Sequence, residues 1–176
     1  MSVDTLAVLG AGDKGIGVAL LGALAGLHVR LWDPSEDVLR GAILLVRQQL
    51  ERAVRDGAPP AHRQTILDGV LATIDLEEAV IGAGVVLETG PEAPDIRAEV
   101  LARAAVAEPG ATLLVSGRLE EVAARLQDPS RLAGLLLGDR IRAPRAMGGS
   151  ATSSAALEAA RAIAAALAGA AAIHPG

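Results

Sequence analysis

The chain has 176 residues, 51% hydrophobic and 21% charged, with a net charge of −5. That suits one soluble domain with a proper core, and the lack of any basic block argues against nucleic acid or an anionic membrane surface as a partner. Cysteine is absent, which excludes disulfides, thiolate metal sites and cysteine nucleophiles, and so are phenylalanine, tyrosine and asparagine, which excludes any mechanism needing a phenol or an asparagine amide.

In chain order, Thr5 to Leu9 is a short apolar run ending at Gly10, predicted as a strand. Ile16 to Ala25 reads as helix and His28 to Trp32 as a second strand, closed by Asp33. Pro34 and Ser35 form a turn, with Ser35 the expected N-cap of a long helix from Val38 to Arg55 whose apolar positions are Ile43, Val46, Leu50 and Val54. Gly57 to Pro60 break it. A short helix over Ala61 to Leu67, a strand at Val70 to Thr73 and a helical turn at Asp75 to Val80 follow. Val85 to Glu88 is continuously apolar until its final acid, as buried parallel strands are. Pro94 to Ala107 is predicted helix, Ala111 to Ser116 strand, Leu119 to Leu126 helix and Leu132 to Leu137 strand. Met147 to Ser154 is expected to be a loop, Ala151 to Ala168 a last helix and Ala170 to Ile173 a strand stub.

This alternation predicts an α/β fold over residues 1–176: one Rossmann-type, doubly wound, mainly parallel sheet with helices on both faces. No basic n-region precedes the first strand, so no signal peptide is expected and the cytoplasm is the expected location. The apolar stretch Ala155 to Ile173 contains Glu158 and Arg161 and is mostly alanine, which reads as a small-residue helix rather than a membrane span.

The chemistry is concentrated in Gly10-Ala11-Gly12-Asp13-Lys14-Gly15. A lone GxGxxG spacing is weak, but this one leaves a strand and opens a helix. Gly10 permits the tight turn, Gly12 lets a pyrophosphate approach the backbone, and Gly15 (with Gly17 beyond it) allows close helix–strand packing. The helix start then offers N–H groups and partial positive charge to phosphates. Asp33 ends the second strand about 20 residues further on, where an acid accepts the ribose hydroxyls and repels a 2′-phosphate; NAD is therefore expected rather than NADP. The alternative is a glycine turn that binds nothing, with Asp33 capping the next helix. Lys14, the only lysine, either pairs with the cofactor or is solvated, and Asp13 offsets its charge. Gly82-Ala83-Gly84 precedes its strand and so faces no helix N-terminus. His28 opens a strand, His62 follows a Pro-Pro break and His174 lies near the end; none has metal-ligand or triad spacing.

Leu6 to Ala19, Val29 to Glu36, Thr73 to Ala79 and Val85-Val-Leu-Glu-Thr-Gly-Pro-Glu92 together resemble the N-terminal NAD-binding domain of L-3-hydroxyacyl-CoA dehydrogenases, 3-hydroxybutyryl-CoA dehydrogenases among them. The resemblance implies that Glu92 lies near the nicotinamide half of NAD and that Arg97 stands where the family has a cofactor-contacting lysine; both are alternatively surface charges. It also exposes departures. Of the family's Ser-Asn-Thr-Ser stretch only Ser116 remains, and Leu136 stands at the position of the catalytic histidine, within Gly134-Leu-Leu-Leu-Gly-Asp-Arg140. A leucine cannot take the hydroxyl proton that hydride transfer requires. The histidine's glutamate partner has no counterpart around Met147 to Ser150, and the family's C-terminal helical domain is absent from these residues. The expected function is thus an NAD(H)-binding relative without the family's own catalytic machinery. The alternative is a 3-hydroxyacyl-CoA dehydrogenase active only with a partner chain or through a different base. The alanine-rich last helix is the expected surface for a homodimer or protein partner.

Overall fold

The computed structural model describes residues 4–55, 66, 68–90, 93–138, 141 and 143–173. Seven strands form one sheet in the order β3-β2-β1-β4-β5-β6-β7. They are β1 (Thr5–Leu9), β2 (His28–Trp32), β3 (Val70–Thr73), β4 (Val85–Glu88), β5 (Thr112–Val115), β6 (Leu132–Leu136) and β7 (Arg145–Met147). Every pairing is parallel except β6 with β7. The helices are α1 (Asp13–Leu24), α2 (Glu36–Arg55), α3 (Leu76–Val80), α4 (Pro94–Ala107), α5 (Leu119–Ala123) and α6 (Ser154–Ile173). The doubly wound fold expected from the alternating pattern is the fold observed.

Two apolar layers account for the stability of the sheet, because a central parallel strand must be covered on both sides. On one face Leu6, Val8, Val85 is joined by Val18 of α1, Val46 and Leu50 of α2, and Ile163 and Leu167 of α6. On the other, Ala7, Leu9 and Val86 pack with Leu76 of α3, Leu101 of α4 and Val122 of α5. In α2 the buried side chains Leu39, Ala42, Val46 and Leu50 recur at helical spacing, while Glu36, Asp37 and Arg40 remain exposed.

Several element limits shift by a few residues, with α5 ending at Ala123 rather than Leu126 and α6 starting at Ser154 rather than Ala151, and three further differences bear on the fold. Helix α1 starts at Asp13, not Ile16, because glycine can occupy the first turn when the sheet behind it is packed. Arg145–Met147, at the edge of the predicted loop, pairs antiparallel with β6 through Gly134↔Met147; three residues flanked by proline and glycines carry no visible period. Ala170 to Ile173 is not a strand stub but the final turn of α6, since a run of alanines continues a helix that is already nucleated. By length and composition alone α6 is apolar enough to cross a membrane, but its Ala156, Ala160, Ile163 and Leu167 are buried in the core beside α1, β6 and β7. The predicted break at Gly57 to Pro60 and nearly all of the predicted helix over Ala61 to Leu67 lie outside the described residues.

Candidate functional site

The strand order reverses between β1 and β4, so the carboxyl ends of these strands border a crevice that neighbouring helices do not close. The glycine loop fills the mouth of it. Gly10 leaves β1 with φ +106°, which an L side chain rarely adopts, and its N–H donates to Trp32 O at 2.8 Å. A Cβ on Gly10 would lie 2.9 Å from Gly90 N, and one on Gly15 would lie 1.8 Å from Gly10 O. These two glycines are required by close backbone approach. A Cβ on Gly17 would meet Ile141 Cδ1 at 2.7 Å, the tip of a flexible side chain outside the strands, so Gly17 packs against Ile141 rather than against a strand as expected.

Gly12 is different. It has ordinary extended φ and ψ, and nothing lies within 4 Å of where its Cβ would be. It is the N-cap of α1, and no side chain caps that helix start. Gly12, Asp13 and Lys14 are exposed, while Gly15 is buried. An open cradle over an uncapped helix start suits a pyrophosphate, whose oxygens would take the place of the missing cap.

Asp33 is half-buried beside this loop. Its Oδ2 accepts from Ala11 N at 3.0 Å and its Oδ1 from Ser35 N at 3.0 Å, so the carboxylate locks the end of β2 to the glycine turn. Ser35 Oγ in turn accepts from Val38 N at 3.4 Å, the expected N-cap of α2. From β4, Thr89 Oγ1 donates to Gly10 O at 3.0 Å, with Leu9 O at 3.2 Å. Thr89 was not among the expected site residues; a threonine following an apolar strand has no distinguishing pattern.

Behind the crevice lies a buried ion pair. Glu88 is 3% exposed and Arg97 only 1%. Glu88 Oε2 meets Arg97 Nε at 3.4 Å, and Glu88 Oε1 accepts from Gly90 N. Arg97 Nη2 donates to Gly90 O at 3.1 Å and Nη1 to Gly117 O at 3.3 Å. Burial pushes the Glu88 carboxyl up to about 7, against the opposing pull of Arg97, the Gly90 N–H and the charge of Lys14. Beside it, Ser116 Oγ is buried with no hydrogen-bond partner among the described residues.

The structure thus brings Gly10, Gly12, Asp13, Lys14, Gly15 and Asp33 together at the carboxyl edge of the sheet, with Arg97 turned inward behind them. Glu92 lies outside the described residues, as do His62 and His174. His28 is exposed at the opposite, amino end of β2. Leu136 is the last residue of β6. Among the described residues no group of three His, Cys, Asp or Glu is placed to hold a metal ion. A groove of about 260 Å³ between Glu36, Leu39, Arg40, Ile43, Ala72, Thr73 and Ile74 sits outside β2 and is lined by none of the glycine-loop residues.

A profile of the family described as "3-hydroxyacyl-CoA dehydrogenase, NAD binding domain" matches residues 5–136. This chain belongs to the 3-hydroxyacyl-CoA dehydrogenase family. It is 30% identical over 140 residues to the 3-hydroxyadipyl-CoA dehydrogenase of Escherichia coli K12, covering 77% of this chain and 29% of that protein. It is 32% identical over 138 residues to the L-carnitine dehydrogenase of Streptomyces griseus, covering 74% and 39%. Mycobacterium tuberculosis FadB2 superposes with a TM-score of 0.85 at 25% identity, over 96% of this chain and 62% of that one. The chain spans less than half the length of the curated relatives it matches, 29% of the first and 49% of a 3-hydroxybutyryl-CoA dehydrogenase. As an NAD-binding domain of the 3-hydroxyacyl-CoA dehydrogenase family, it takes NAD as its cofactor.

Proposed function

We propose that this chain binds NAD(H) as a member of the 3-hydroxyacyl-CoA dehydrogenase family that lacks the family's own acid–base machinery. The open, uncapped start of α1 at Gly12 carries the reading, since it follows β1 at the switch point of the sheet and nothing among the described residues lies within 4 Å of where a Gly12 Cβ would be. In this reading Gly10, Gly12 and Gly15 shape the pyrophosphate cradle, and Asp13 and Lys14 border it. Asp33 takes the ribose hydroxyls, and the family resemblance assigns Glu92 to the nicotinamide half. When bound, NAD supplies a hydride acceptor at its nicotinamide ring. The chain's own contribution is to bind and orient it.

Leu136 at the end of β6 supports the non-catalytic reading, because it offers no lone pair where the resemblance places the proton acceptor. The second reading is a 3-hydroxyacyl-CoA dehydrogenase active only with a partner chain or through a different base; the names of the relatives support its dehydrogenase part alone. A partner or second copy would dock on α6. The proposed location is the cytoplasm.

Calorimetric titration with NADH, NAD, NADPH and FAD tests the cofactor assignment. NADH is expected to bind in preference to NADPH, and both Gly12→Val and Asp33→Ala are expected to weaken it. No binding of any nucleotide at millimolar concentration would reduce the glycine loop to a packing device. Turnover of acetoacetyl-CoA with NADH by the chain alone would refute the non-catalytic reading.

A further inference from the structure

We propose that Arg97 is a positioning residue for NAD binding: it holds the loop after β4 against the glycine turn and sets the shape of the pyrophosphate cradle without touching the nucleotide. This rests on the glycine loop being the NAD site. An arginine with 1% of its surface exposed, on the same buried stripe of α4 as Ala98, Leu101 and Ala104, is out of reach of a ligand in the crevice. Its Nε, Nη1 and Nη2 instead engage protein groups at the crevice floor.

The geometry converges on Gly90. Its N–H donates to Glu88 and its C=O accepts from Arg97, so the ion pair grips both polar groups of one residue. The third Arg97 contact, to Gly117 O, ties in the turn after β5. Gly90 is also the residue that a Cβ on Gly10 would strike, and its neighbour Thr89 hydrogen-bonds Gly10 O. Position is therefore relayed from Arg97 to Gly90 and Thr89, from these to Gly10, and from Gly10 to the open Gly12 cradle. Only a planar fork reaches two carbonyls and a carboxylate at once; a lysine keeps the charge but not that geometry.

The test measures NADH and ADP-ribose affinities by calorimetry for the wild type, Arg97→Lys, Arg97→Met, Glu88→Gln and Gly12→Val, at a temperature where circular dichroism shows each folded. ADP-ribose keeps the pyrophosphate and lacks the nicotinamide. Arg97→Met is expected to weaken both ligands by the same factor, about tenfold or more, the scale on which loss of a supporting residue shows. Arg97→Lys is expected to restore part of that loss, and Glu88→Gln to weaken both ligands in proportion. Unchanged NADH affinity in folded Arg97→Met overturns the proposal. So does a loss confined to NADH, which would make Arg97 a nicotinamide contact. If Arg97→Met does not fold, unchanged affinities in Arg97→Lys and Glu88→Gln overturn it equally. A wild type that binds neither ligand overturns the site and this role together, whereas wild-type binding lost in Gly12→Val but kept in the Arg97 variants overturns this role alone.

Discussion

Gly12 and Gly15 are three residues apart and are expected to separate two demands, binding and folding. A methyl group on Gly12 enters empty space at an ordinary backbone conformation, so Gly12→Ala is expected to melt like the wild type and to bind NADH poorly. A methyl group on Gly15 meets a carbonyl oxygen of the turn itself, and backbone cannot step aside as a flexible side chain would. Gly15→Ala is expected to lower stability by about 1–3 kcal/mol or more, as overpacking does. Thermal melting beside NADH titration separates the two variants, and equal behaviour would defeat the distinction. The places of the glycine loop and Asp33 in the fold were legible because both follow from strand ends and chain order, which a sequence displays directly. The Glu88–Arg97 pair was only half legible. Arg97 occupies an apolar stripe of α4 with Leu101 and Ala104, which marks a buried cation, but its partners Gly90 and Gly117 are carbonyls supplied by two separate turns.

The elements themselves were read from periodicity wherever they were long enough to show one. Strands β1, β2, β3 and β4 fell at their predicted limits, while β7 was missed because its pairing comes from β6 rather than from its own three residues. Helix α6 shows a different boundary between pattern and structure. Its inner side is settled by burial of Ala160, Ile163 and Leu167, whereas Ala162, Ala165, Gly169 and Ala172 form an exposed strip of small residues. Such a strip lets another helix approach closely. Sedimentation velocity across a concentration series is expected to show a mass above the monomer for the chain alone or with its partner. Ala165→Arg is expected to reverse that association. A clean monomer at high concentration, in both variant and wild type, would remove α6 as a self-association surface.

At the scale of the whole molecule, one buried carboxyl sets a pH dependence of folding. Glu88 titrates at about 7 in the folded chain, chiefly because it is buried, against an ordinary value of 4.5. Between these values the unfolded chain releases the proton and the folded chain keeps it. This group therefore lowers stability progressively as pH rises from 4.5 to about 7, with no further change above, by a total on the order of 3 kcal/mol. Urea unfolding across that range is expected to show the decline in the wild type and its loss in Glu88→Gln. An identical slope in the variant would exclude Glu88 as the source.

Trp32 has a further consequence. The chain has no tyrosine or phenylalanine, so its near-ultraviolet absorbance and intrinsic emission arise from one indole. That indole is 8% exposed, donates through Nε1 to Ile74 O at 2.9 Å, and immediately precedes Asp33. The whole optical signal of the molecule is thus sited one residue from the acid proposed to take the ribose hydroxyls. Collapse of the β2–β3 edge and arrival of a nucleotide at the proposed site are therefore both expected to register in the same chromophore, without a label.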